Sequence, residues 1–515
     1  MQAVLEKIPD NVNVVFEAVK GTSQELAMNS RAHHTLLCGT RGSMKTATQL
    51  NFIRKHIGIG YGKFFKAVII DRHYKDLADI ISQSKKFYGA YEDGAVFMSG
   101  TSDCKWKWPT GEEVLIRHAE GVSDYEQFHG HEICIIAFNE LNKWATLDLY
   151  DKMQSTNRSS FLPEKDTPRL PNGDYATPDK KPLPPMPLCF FSTTNPSGVG
   201  HNAIKRRFIN PAPYGKIIKK DVQIFNPQTQ EDEIFTTTQV TIFASYRENP
   251  YLPAKYVADL NNISDPNLRA AWLNGRWDVT SGGALDDLFR LEHHRIPVFN
   301  IPAEWYVDRA YDWGSSHPFS VGWFAEANGE EVMLPNGDIF CPNKGSIIQI
   351  KEYYGTEEIG TNKGLKLSSR DQALGIIDIE EEMLATGFIQ SRPEAGPADN
   401  QINQKPQSDV ETIKKKMEDL GVYWTDSDKS AGSRVNGLQL IRDRLESVIK
   451  KEGSGLYFME NCKASLELIP SLPRDEKKVN DVDTSAEDHC YDMVRYRVLS
   501  SQNRLATNIE FKPAY

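Results

Sequence analysis

The sequence GTRGSMKT at residues 39–46 constrains this chain more than any other stretch. It follows the apolar run TLLC at 35–38 and precedes residues 47–56, whose pattern predicts a helix. A strand, a glycine-bearing loop, Lys-Thr and a helix form a cradle for nucleotide phosphates. Loop N–H groups surround the phosphates, the lysine reaches the β and γ oxygens, and the hydroxyl binds Mg²⁺. Lys45 and Thr46 fit those last two roles.

One position of this loop departs from the usual pattern. Met44 stands where the second glycine is expected, although Gly42 lies two residues earlier. Gly39, Gly42 and Ser43 are predicted to present their N–H groups to the phosphates. An ordinary turn is the alternative interpretation of the loop, so the rest of the chain has to decide between the two.

Composition sets broad limits on the chain. With 515 residues it is too long for one core, and two or three domains of roughly 100–250 residues are expected. A net charge of −10 argues against a generally basic surface but allows a local basic channel. The seven cysteines are scattered without a C-x-x-C pair, which predicts a reducing compartment and no zinc framework. Neither a signal peptide nor a membrane span is expected.

A second apolar run ends in the polar pair Asn-Glu. Residues 133–138 (ICIIAF) predict a buried parallel strand, and Asn139 and Glu140 follow it directly. In NTPases the first residue of such a pair holds Mg²⁺ through water and the second activates the attacking water. Asn139 can bond a magnesium-bound water but supplies no charge, whereas Glu140 keeps the role of general base open. A core strand followed by a surface Asn-Glu is the alternative.

A third apolar strand, 188–191, leads into the polar run STTNPSG at 192–198. This run could sense the γ-phosphate from the neighbouring strand, or it could be an Asn-Pro turn. The proline-rich segment 161–187 before it predicts a long exposed loop. Lys205, Arg206 and Arg207 after it could contact DNA phosphates or form a solvated helix face.

These motifs together resemble the large terminase subunit of tailed bacteriophages. The resemblance rests on GTRGSMKT, FNEL, TTNPSGVGHNAIKRRF and residues 248–279 (ENPYLPAKYVADLNNISDPNLRAAWLNGRWDV), in that order. Asn139 departs from the FDEL of the family, and Met44 departs from its phosphate loop. The resemblance covers most of residues 31–500.

The resemblance assigns further roles in the first half of the chain. It makes Arg41 the arginine of the phosphate loop, and Thr194 and Asn195 the residues that couple hydrolysis to movement. It also implies an arginine finger that acts in trans on a neighbouring subunit. Arg158 is our candidate for that finger, in a segment that matches the family only loosely.

The second half should then hold a ribonuclease H-like nuclease, whose chemistry needs carboxylates around two divalent cations. In YVDRAYDWG, Asp312 ends a predicted strand and suits the first metal ligand. Asp308 lies four residues earlier on the same face and ranks below it. Asp399, after a short extended segment, matches the second carboxylate of the family. Lys429, Arg434 and the lysines at 414–416 are candidate DNA contacts or solvated charges.

The segment EDHCYDMVRYRVL at 487–499 resembles the last nuclease motif of the family. On a helix, Asp488 and Asp492 project to one side, and His489 lies three residues before Asp492. Asp492 is assigned as a metal ligand. His489 could bind metal or move a proton, and Asp488 is a reserve ligand.

The predicted fold is α/β in both halves. Residues 1–280 form a P-loop (ASCE-type) NTPase domain with a mostly parallel sheet and a small subdomain near 245–280. Residues 281–300 form a linker, 301–500 a ribonuclease H-like nuclease domain, and 501–515 a tail that contacts another packaging component.

The resemblance implies ATP-driven translocation of double-stranded DNA into a procapsid and cutting of concatemeric DNA. ATP is the substrate, with Mg²⁺ at the ATPase site and Mg²⁺ or Mn²⁺ at the nuclease site. The implied partners are the portal protein and procapsid and a small terminase subunit. The protein would act as a homo-oligomeric ring on the portal, with a monomer in solution left open, in the host cytoplasm and not as a stable virion component.

Three other functions stay open. A cellular helicase or repair ATPase-nuclease should carry helicase motifs, and none was found in the sequence. A transposase or integrase would share the nuclease chemistry without needing the NTPase half. A catalytically weakened structural packaging component would account for Met44 and Asn139.

Overall fold

The computed structural model divides the chain into two compact units, Met1–Trp277 and Asp278–Tyr515. It describes residues 14–100, 103–227, 229–264, 266–277, 283–405, 411–475, 478 and 480–507; the side chains of 266, 267 and 502–507 lie outside the description. Residues 1–13, expected to be partly helical, and the tail from 508 onward therefore lie outside the described residues.

The strands of unit 1 are β1 His34–Gly39, β2 Lys66–Asp71, β3 Val96–Ser99, β4 Cys104–Lys107, β5 Glu113–His118, β6 Ile135–Phe138, β7 Cys189–Thr194, β8 Ile218–Asn226 and β9 Glu231–Ala244. Its helices are α1 Ser23–Met28, α2 Lys45–Arg54, α3 Leu77–Tyr88, α4 Asp148–Met153, α5 Pro163–Asp166, α6 His201–Ile204, α7 Ala254–Asn261 and α8 Pro266–Asn274.

The sheet of unit 1 has the order β3-β4-β5-β2-β6-β7-β1-β9-β8. Six neighbouring strands run parallel: β5, β2, β6, β7, β1 and β9. At the two edges, β4 is antiparallel to β5, β3 to β4, and β8 to β9. Alternate residues of the central strands enter different cores. Leu37 and Ala137 pack on one face of the sheet, and Leu36 and Phe138 pack on the other. Burial on both faces explains why these strands are continuous apolar runs.

The strands of unit 2 are β10 Arg295–Ile296, β11 Tyr306–Asp312, β12 Ser320–Glu326, β13 Val332–Met333, β14 Ile339–Phe340, β15 Ile347–Tyr354, β16 Pro397–Ala398, β17 Thr425–Asp426 and β18 Leu456–Met459. Its helices are α9 Leu291–His294, α10 Ser369–Ala385, α11 Ile413–Glu418, α12 Ser433–Lys450, α13 Lys463–Leu468 and α14 His489–Thr507.

The main sheet of unit 2 has the order β10-β18-β15-β12-β11-β16-β17. Strand β12 is antiparallel to both β11 and β15, whereas β16 is parallel to β11 and β17 is parallel to β16. Apolar residues of α10 join the core on one face of this sheet, and those of α12 and α14 join the core on the other. Strands β13 and β14 form a separate antiparallel pair between β12 and β15 in the chain.

The segment predicted to be a linker, 281–300, differs in the structure. Ala284, Leu285 and Phe289 are buried in the core of unit 2, and β10 pairs with β18 at the edge of its sheet. Burying these apolar side chains stabilises the fold, whereas a solvated linker would leave them exposed to water. Residues 281 and 282 lie outside the described residues. In the predicted tail, α14 continues through Thr507.

Candidate nucleotide and metal sites

The phosphate loop lies between β1 and α2, as the sequence predicts. Gly39 approaches β9 so closely that an added Cβ would overlap the carbonyl oxygen of Ala244, and the Thr40 N–H donates to that same carbonyl (3.0 Å). Only glycine can occupy such a position without moving the neighbouring strand. The side-chain amide of Asn249 also contacts the loop, where it donates to the carbonyl of Gly42 (2.7 Å).

Met44 occupies the conformation for which a glycine is usually kept. Its φ of 62° and ψ of 15° are left-handed, and α2 begins at the next residue. The backbone course of the loop therefore survives the substitution, at the conformational cost that an L-residue carries in this region.

We expect Met44→Gly to raise the free energy of unfolding by about 1 kcal/mol, because a left-handed L-residue costs about 1–2 kcal/mol and the freer unfolded chain of glycine offsets part of the gain. Met44→Val should lower it, since a β-branched side chain tolerates positive φ least. Urea unfolding measures both. The same Met→Gly change at Met98, which is exposed in the extended strand β3, is the control and should lower the free energy of unfolding. Equal losses of unfolding free energy in Met44→Gly and Met44→Val would contradict the left-handed conformation assigned to Met44.

Lys45 is buried against its own loop. Its Nζ donates to the carbonyl of Thr40 (2.6 Å) and to the Ser43 hydroxyl (3.1 Å). Burial lowers the pKa of Lys45 to about 8. The ammonium is thus held by neutral oxygens, and a phosphate would give it the anionic partner it lacks there.

A cavity of about 370 Å³ opens beside the loop. Of the predicted residues, Arg41, Gly42, Ser43, Lys45, Thr46, Glu140 and Asn195 line it. Three further lining residues, Gln83, Asn249 and Tyr256, were given no role from the sequence, and Thr193 also lines the cavity from the polar run at 192–198. The Arg41 guanidinium lies 3.6 Å from the ring centre of Trp272. Among the described residues, four predicted ones do not line this cavity: Gly39, Asn139, Thr194 and Arg158.

The pair Asn139-Glu140 follows β6 as predicted, but only one of the two side chains lies at the cavity. Glu140, with a left-handed φ of 54°, lines the cavity, whereas Asn139 is buried behind it. The Asn139 amide donates to Asp71 Oδ2 (2.8 Å), and its oxygen accepts from Thr193 Oγ1 (3.4 Å). The Glu140 N–H donates to the same Thr193 hydroxyl (3.0 Å). Thr193 therefore joins both members of the pair to β7.

Lys143 holds the Glu140 carboxylate. Its Nζ lies 2.8 Å from Asp71, 2.9 Å from Asp76 and 3.0 Å from Glu140 Oε2. Burial works against this charge, yet the hydrogen bonds that Lys143 donates to the two aspartates raise its pKa well above its usual value. This ion pair engages Oε2, one of the two carboxylate oxygens of Glu140.

The predicted coupling residues separate in the structure. Asn195 lines the cavity, and its buried side-chain oxygen has no hydrogen-bond partner. Thr194 is fully buried and donates to the side chain of Asn142 (3.2 Å). Because neighbouring strand residues face opposite sides, it is Thr193 that reaches the cavity. Arg158 is exposed beside the start of β6, where its N–H donates to Thr156, away from the phosphate loop. Its action in trans stays a prediction.

In unit 2, Asp312 and Asp399 come together at the ends of adjacent parallel strands. Tyr311 pairs with Ala398 across β11 and β16, and the Asp399 N–H donates to the Tyr311 carbonyl (2.9 Å). Both carboxylates are buried. Burial raises the pKa of Asp312, although His489 opposes the shift.

Helix α14 brings the third carboxylate and its neighbours to the same place. His489 Nδ1 lies 3.0 Å from Asp312 Oδ2, and its Nε2 lies 3.1 Å from Asn362 Oδ1. Asp488 is buried, and burial together with Asp492 raises its pKa. The structure thus gathers all five predicted residues, Asp312, Asp399, Asp488, His489 and Asp492, around the start of α14.

Tyr496 lies at the centre of this cluster and was missed. Its buried hydroxyl is 3.3 Å from Asp312 Oδ1, 3.4 Å from Asp399 Oδ2 and 3.5 Å from Asp492 Oδ2. The spacing of four residues from Asp492 on one helix face was the available signal. One phenol therefore reaches three carboxylates from three separate elements.

Two of the three carboxylates also have a lysine or arginine partner, whereas Asp312 bonds His489. Lys429 Nζ lies 2.8 Å from Asp399, and Arg495 lies 3.0 Å from Asp492, with Arg434 at 3.6 Å. Across the described part of the chain, no group of three His, Cys, Asp or Glu side chains is spaced to hold a metal ion. The donors suit Mg²⁺ or Mn²⁺ chemically, but ion pairs occupy them in this conformation.

Removing the cation beside Asp399 should make metal binding easier. We expect Lys429→Met to raise the affinity for Mn²⁺ roughly two- to fivefold, the equivalent of about 0.5–1 kcal/mol for a partly exposed ion pair. Titration followed by electron paramagnetic resonance of free Mn²⁺ measures this. Lys414→Met removes the equivalent partner of Asp426 on β17 (2.9 Å) and is the matched control. Unchanged or weaker Mn²⁺ binding in Lys429→Met would contradict the expectation.

Asp308 has a structural role, in line with its lower rank. It is fully buried and bonds Arg497 (2.6 Å), which also reaches Glu326 (3.1 Å). A buried pair of this kind needs both partners, since removing one leaves an uncompensated charge.

The strand order and the two sites define the class of each unit. Unit 1 is a P-loop NTPase domain, because its phosphate loop joins a central parallel strand to a helix. Unit 2 has the ribonuclease H-like fold, with an antiparallel trio of strands continued by parallel ones and carboxylates at the strand ends. Both parts of the fold prediction are confirmed. No described helix is long and apolar enough to cross a membrane.

The chain resembles solved large terminases. That of the thermophilic bacteriophage D6E, in complex with ADP, is 13% identical with a TM-score of 0.34, over 92% of this chain and 98% of that one. That of bacteriophage HK97 is 10% identical with a TM-score of 0.40, over 92% and 93%. The P22 large terminase nuclease domain is 15% identical with a TM-score of 0.30, over 43% and 93%. No family model and no curated protein matches the chain.

Identities and TM-scores this low carry no activity from those proteins to this one. The function of this chain has to be argued from its own residues.

Proposed function

We propose that this protein hydrolyses ATP to translocate double-stranded DNA and cuts that DNA in a metal-dependent reaction, as a large terminase subunit would. The observation that carries the proposal is the presence of two separate sites in one chain. A phosphate loop faces Glu140 across a cavity in unit 1, and three carboxylates surround Tyr496 in unit 2. A motor that feeds DNA and also cuts it needs both.

In the ATPase, Lys45 binds the β- and γ-phosphates and the loop N–H groups hold their oxygens. Arg41 adds a second positive charge at the mouth of the cavity. Thr46 is the residue that would hold Mg²⁺, which supplies charge neutralisation on the phosphates. Glu140, which lines the cavity, takes the proton of the attacking water. Asn195, which lines the cavity directly after β7, responds to the γ-phosphate and passes the change to that strand.

In the nuclease, Asp312, Asp399 and Asp492 would hold the divalent cations, with Asp488 in reserve. These cations would stabilise the attacking and leaving oxygens of the phosphodiester. His489, which bonds Asp312, is placed to move a proton. Lys429 and the arginines that now pair with the carboxylates become free to contact DNA phosphates.

The remaining parts of the proposal follow from the sequence resemblance. The protein would form a ring on the portal of a procapsid, take concatemeric DNA from a small terminase subunit and work in the host cytoplasm. Arg158, exposed on its own unit, would act on the nucleotide of a neighbouring subunit.

A test separates this function from its rivals. ATP hydrolysis is measured with linear double-stranded DNA, with single-stranded DNA and without DNA, using Asp312→Asn protein so that the DNA stays intact. The motor predicts stimulation by the duplex above both other conditions. Stimulation by single strands alone would favour a helicase instead.

A weakened structural packaging component is the second candidate. It is favoured by one observation: Lys143 pairs with Oε2 of Glu140 (3.0 Å), the proposed general base, beside an uncharged Asn139. That candidate predicts nucleotide binding without hydrolysis in all three conditions of the same experiment.

A further inference from the structure

Asn139 lacks the charge expected at its position, yet a carboxylate lies directly against it. Asp71 ends β2 and Asn139 follows β6, and these strands pair in parallel with Ile70 opposite Phe138. The Asn139 N–H continues the ladder by donating to the Ile70 carbonyl (2.9 Å). Both side chains therefore emerge at the carboxyl edge of the sheet, where the phosphate loop also lies.

The contact between them fixes the orientation of the amide. Asn139 Nδ2 donates to Asp71 Oδ2 (2.8 Å), while Asp71 Oδ1 accepts from the Arg72 N–H (2.7 Å). Asp71 is 1% exposed and Asn139 is 8% exposed. Because a carboxylate can only accept, the NH₂ group must face Asp71. The Asn139 oxygen therefore faces Thr193, which lines the nucleotide cavity.

We propose that Asp71 supplies the negative charge that Asn139 lacks, acting through Asn139 and Thr193 on the Mg²⁺ of a bound nucleotide. This inference rests on the proposed ATPase function and makes Asp71 a positioning residue. Lys143 pairs with Oδ1 of Asp71 (2.8 Å), while Oδ2 faces the Asn139 amide. Water screens a buried carboxylate only weakly, so Asp71 can act on a cation beyond its own contacts. The carboxylate would then lie on the neighbouring strand, at Asp71, instead of at position 139. This would explain how the position after β6 can be occupied by an amide.

A simpler role for Asp71 would be as a partner of Lys143. The same ammonium, however, also has Asp76 at 2.9 Å. Asp76 precedes α3 on the loop after β2, and among the described residues it bonds Lys143 and not Asn139. Asp76→Asn therefore removes one carboxylate from Lys143 without removing the charge behind Asn139, and it is the matched control for Asp71→Asn.

The test measures the affinity of a fluorescent ATP analogue with Mg²⁺ and with EDTA. In Asp71→Asn, the tightening by Mg²⁺ should fall roughly 10–100-fold, the usual loss when an outer partner of a metal site is removed. Affinity in EDTA should stay unchanged, and Asp76→Asn should behave like the wild type.

Asn139→Asp alone should lower the melting temperature, since it puts two buried carboxylates in contact. The exchange Asp71→Asn with Asn139→Asp should restore both the melting temperature and the effect of Mg²⁺.

Four results would overturn the inference while leaving the ATPase proposal standing. Three of them concern Asp71→Asn: it retains the full Mg²⁺ effect, loses affinity equally in EDTA, or matches Asp76→Asn. The fourth is an exchanged double variant that folds without the Mg²⁺ effect, which decides the question even when Asp71→Asn alone does not fold. Wild-type protein that binds no nucleotide under either condition would instead overturn the ATPase proposal, and the inference with it.

Discussion

ATP hydrolysis should fall at least ~100-fold in Lys45→Ala, the scale of loss when one preorganised charge stabiliser is removed from an active site. Lys45 is the only lysine lining the described nucleotide cavity, and its ammonium lies among neutral oxygens of the loop. Burial lowers its pKa to about 8, so the folded protein bears a cost for the charged form. The variant should therefore keep its stability while losing activity. Steady-state phosphate release with linear duplex DNA measures the loss.

The control for this experiment comes from the same helix. Lys55 lies at the C-terminal end of α2, bonds the Met28 carbonyl, and has a pKa that burial also lowers to about 8. It takes no part in the cavity. Lys55→Ala should retain activity close to that of the wild type. Equal hydrolysis by the wild type and Lys45→Ala would remove the basis of the motor assignment.

Cutting of plasmid DNA in Mn²⁺ should likewise fall by at least ~100-fold in Asp312→Asn, because the isosteric amide removes a charged metal ligand. Burial raises the pKa of Asp312 to about 6, so at neutral pH the ionised carboxylate destabilises the folded state relative to the unfolded chain. Loss of the charge should therefore leave the melting temperature unchanged or higher. ATP hydrolysis, which belongs to unit 1, should stay as it was.

Asp426 provides the comparison for the nuclease site. It ends β17 next to β16, is exposed, and pairs with Lys414 (2.9 Å) outside the cluster around Tyr496. Asp426→Asn should cut as the wild type does. If Asp312→Asn still cuts DNA while its fold is intact, the carboxylates have been assigned wrongly.

Local sequence was sufficient wherever the relevant interactions are close along the chain. The phosphate loop, its helix and the strand before Glu140 were all predicted, because a turn, a helix start and a buried strand are encoded by neighbouring residues. Helix α14 shows the same effect, since the spacing of His489 and Asp492 already placed them on one side. The domain division was less accurate, because the burial of Leu285 and Phe289 depends on distant segments of unit 2.

Sequence alone therefore determined two folds and the candidate residues of their sites, since glycine conformation, strand alternation and helix spacing act over a few residues. Tertiary structure decided which of them meet. Thr193 rather than Thr194 reaches the cavity, Asp71 lies behind Asn139, and Lys143 holds Glu140. Tyr496 joins carboxylates that are up to 184 residues away from it in the sequence. Such contacts arise from the pairing of strands and the packing of helices from distant parts of the chain, which no local pattern records.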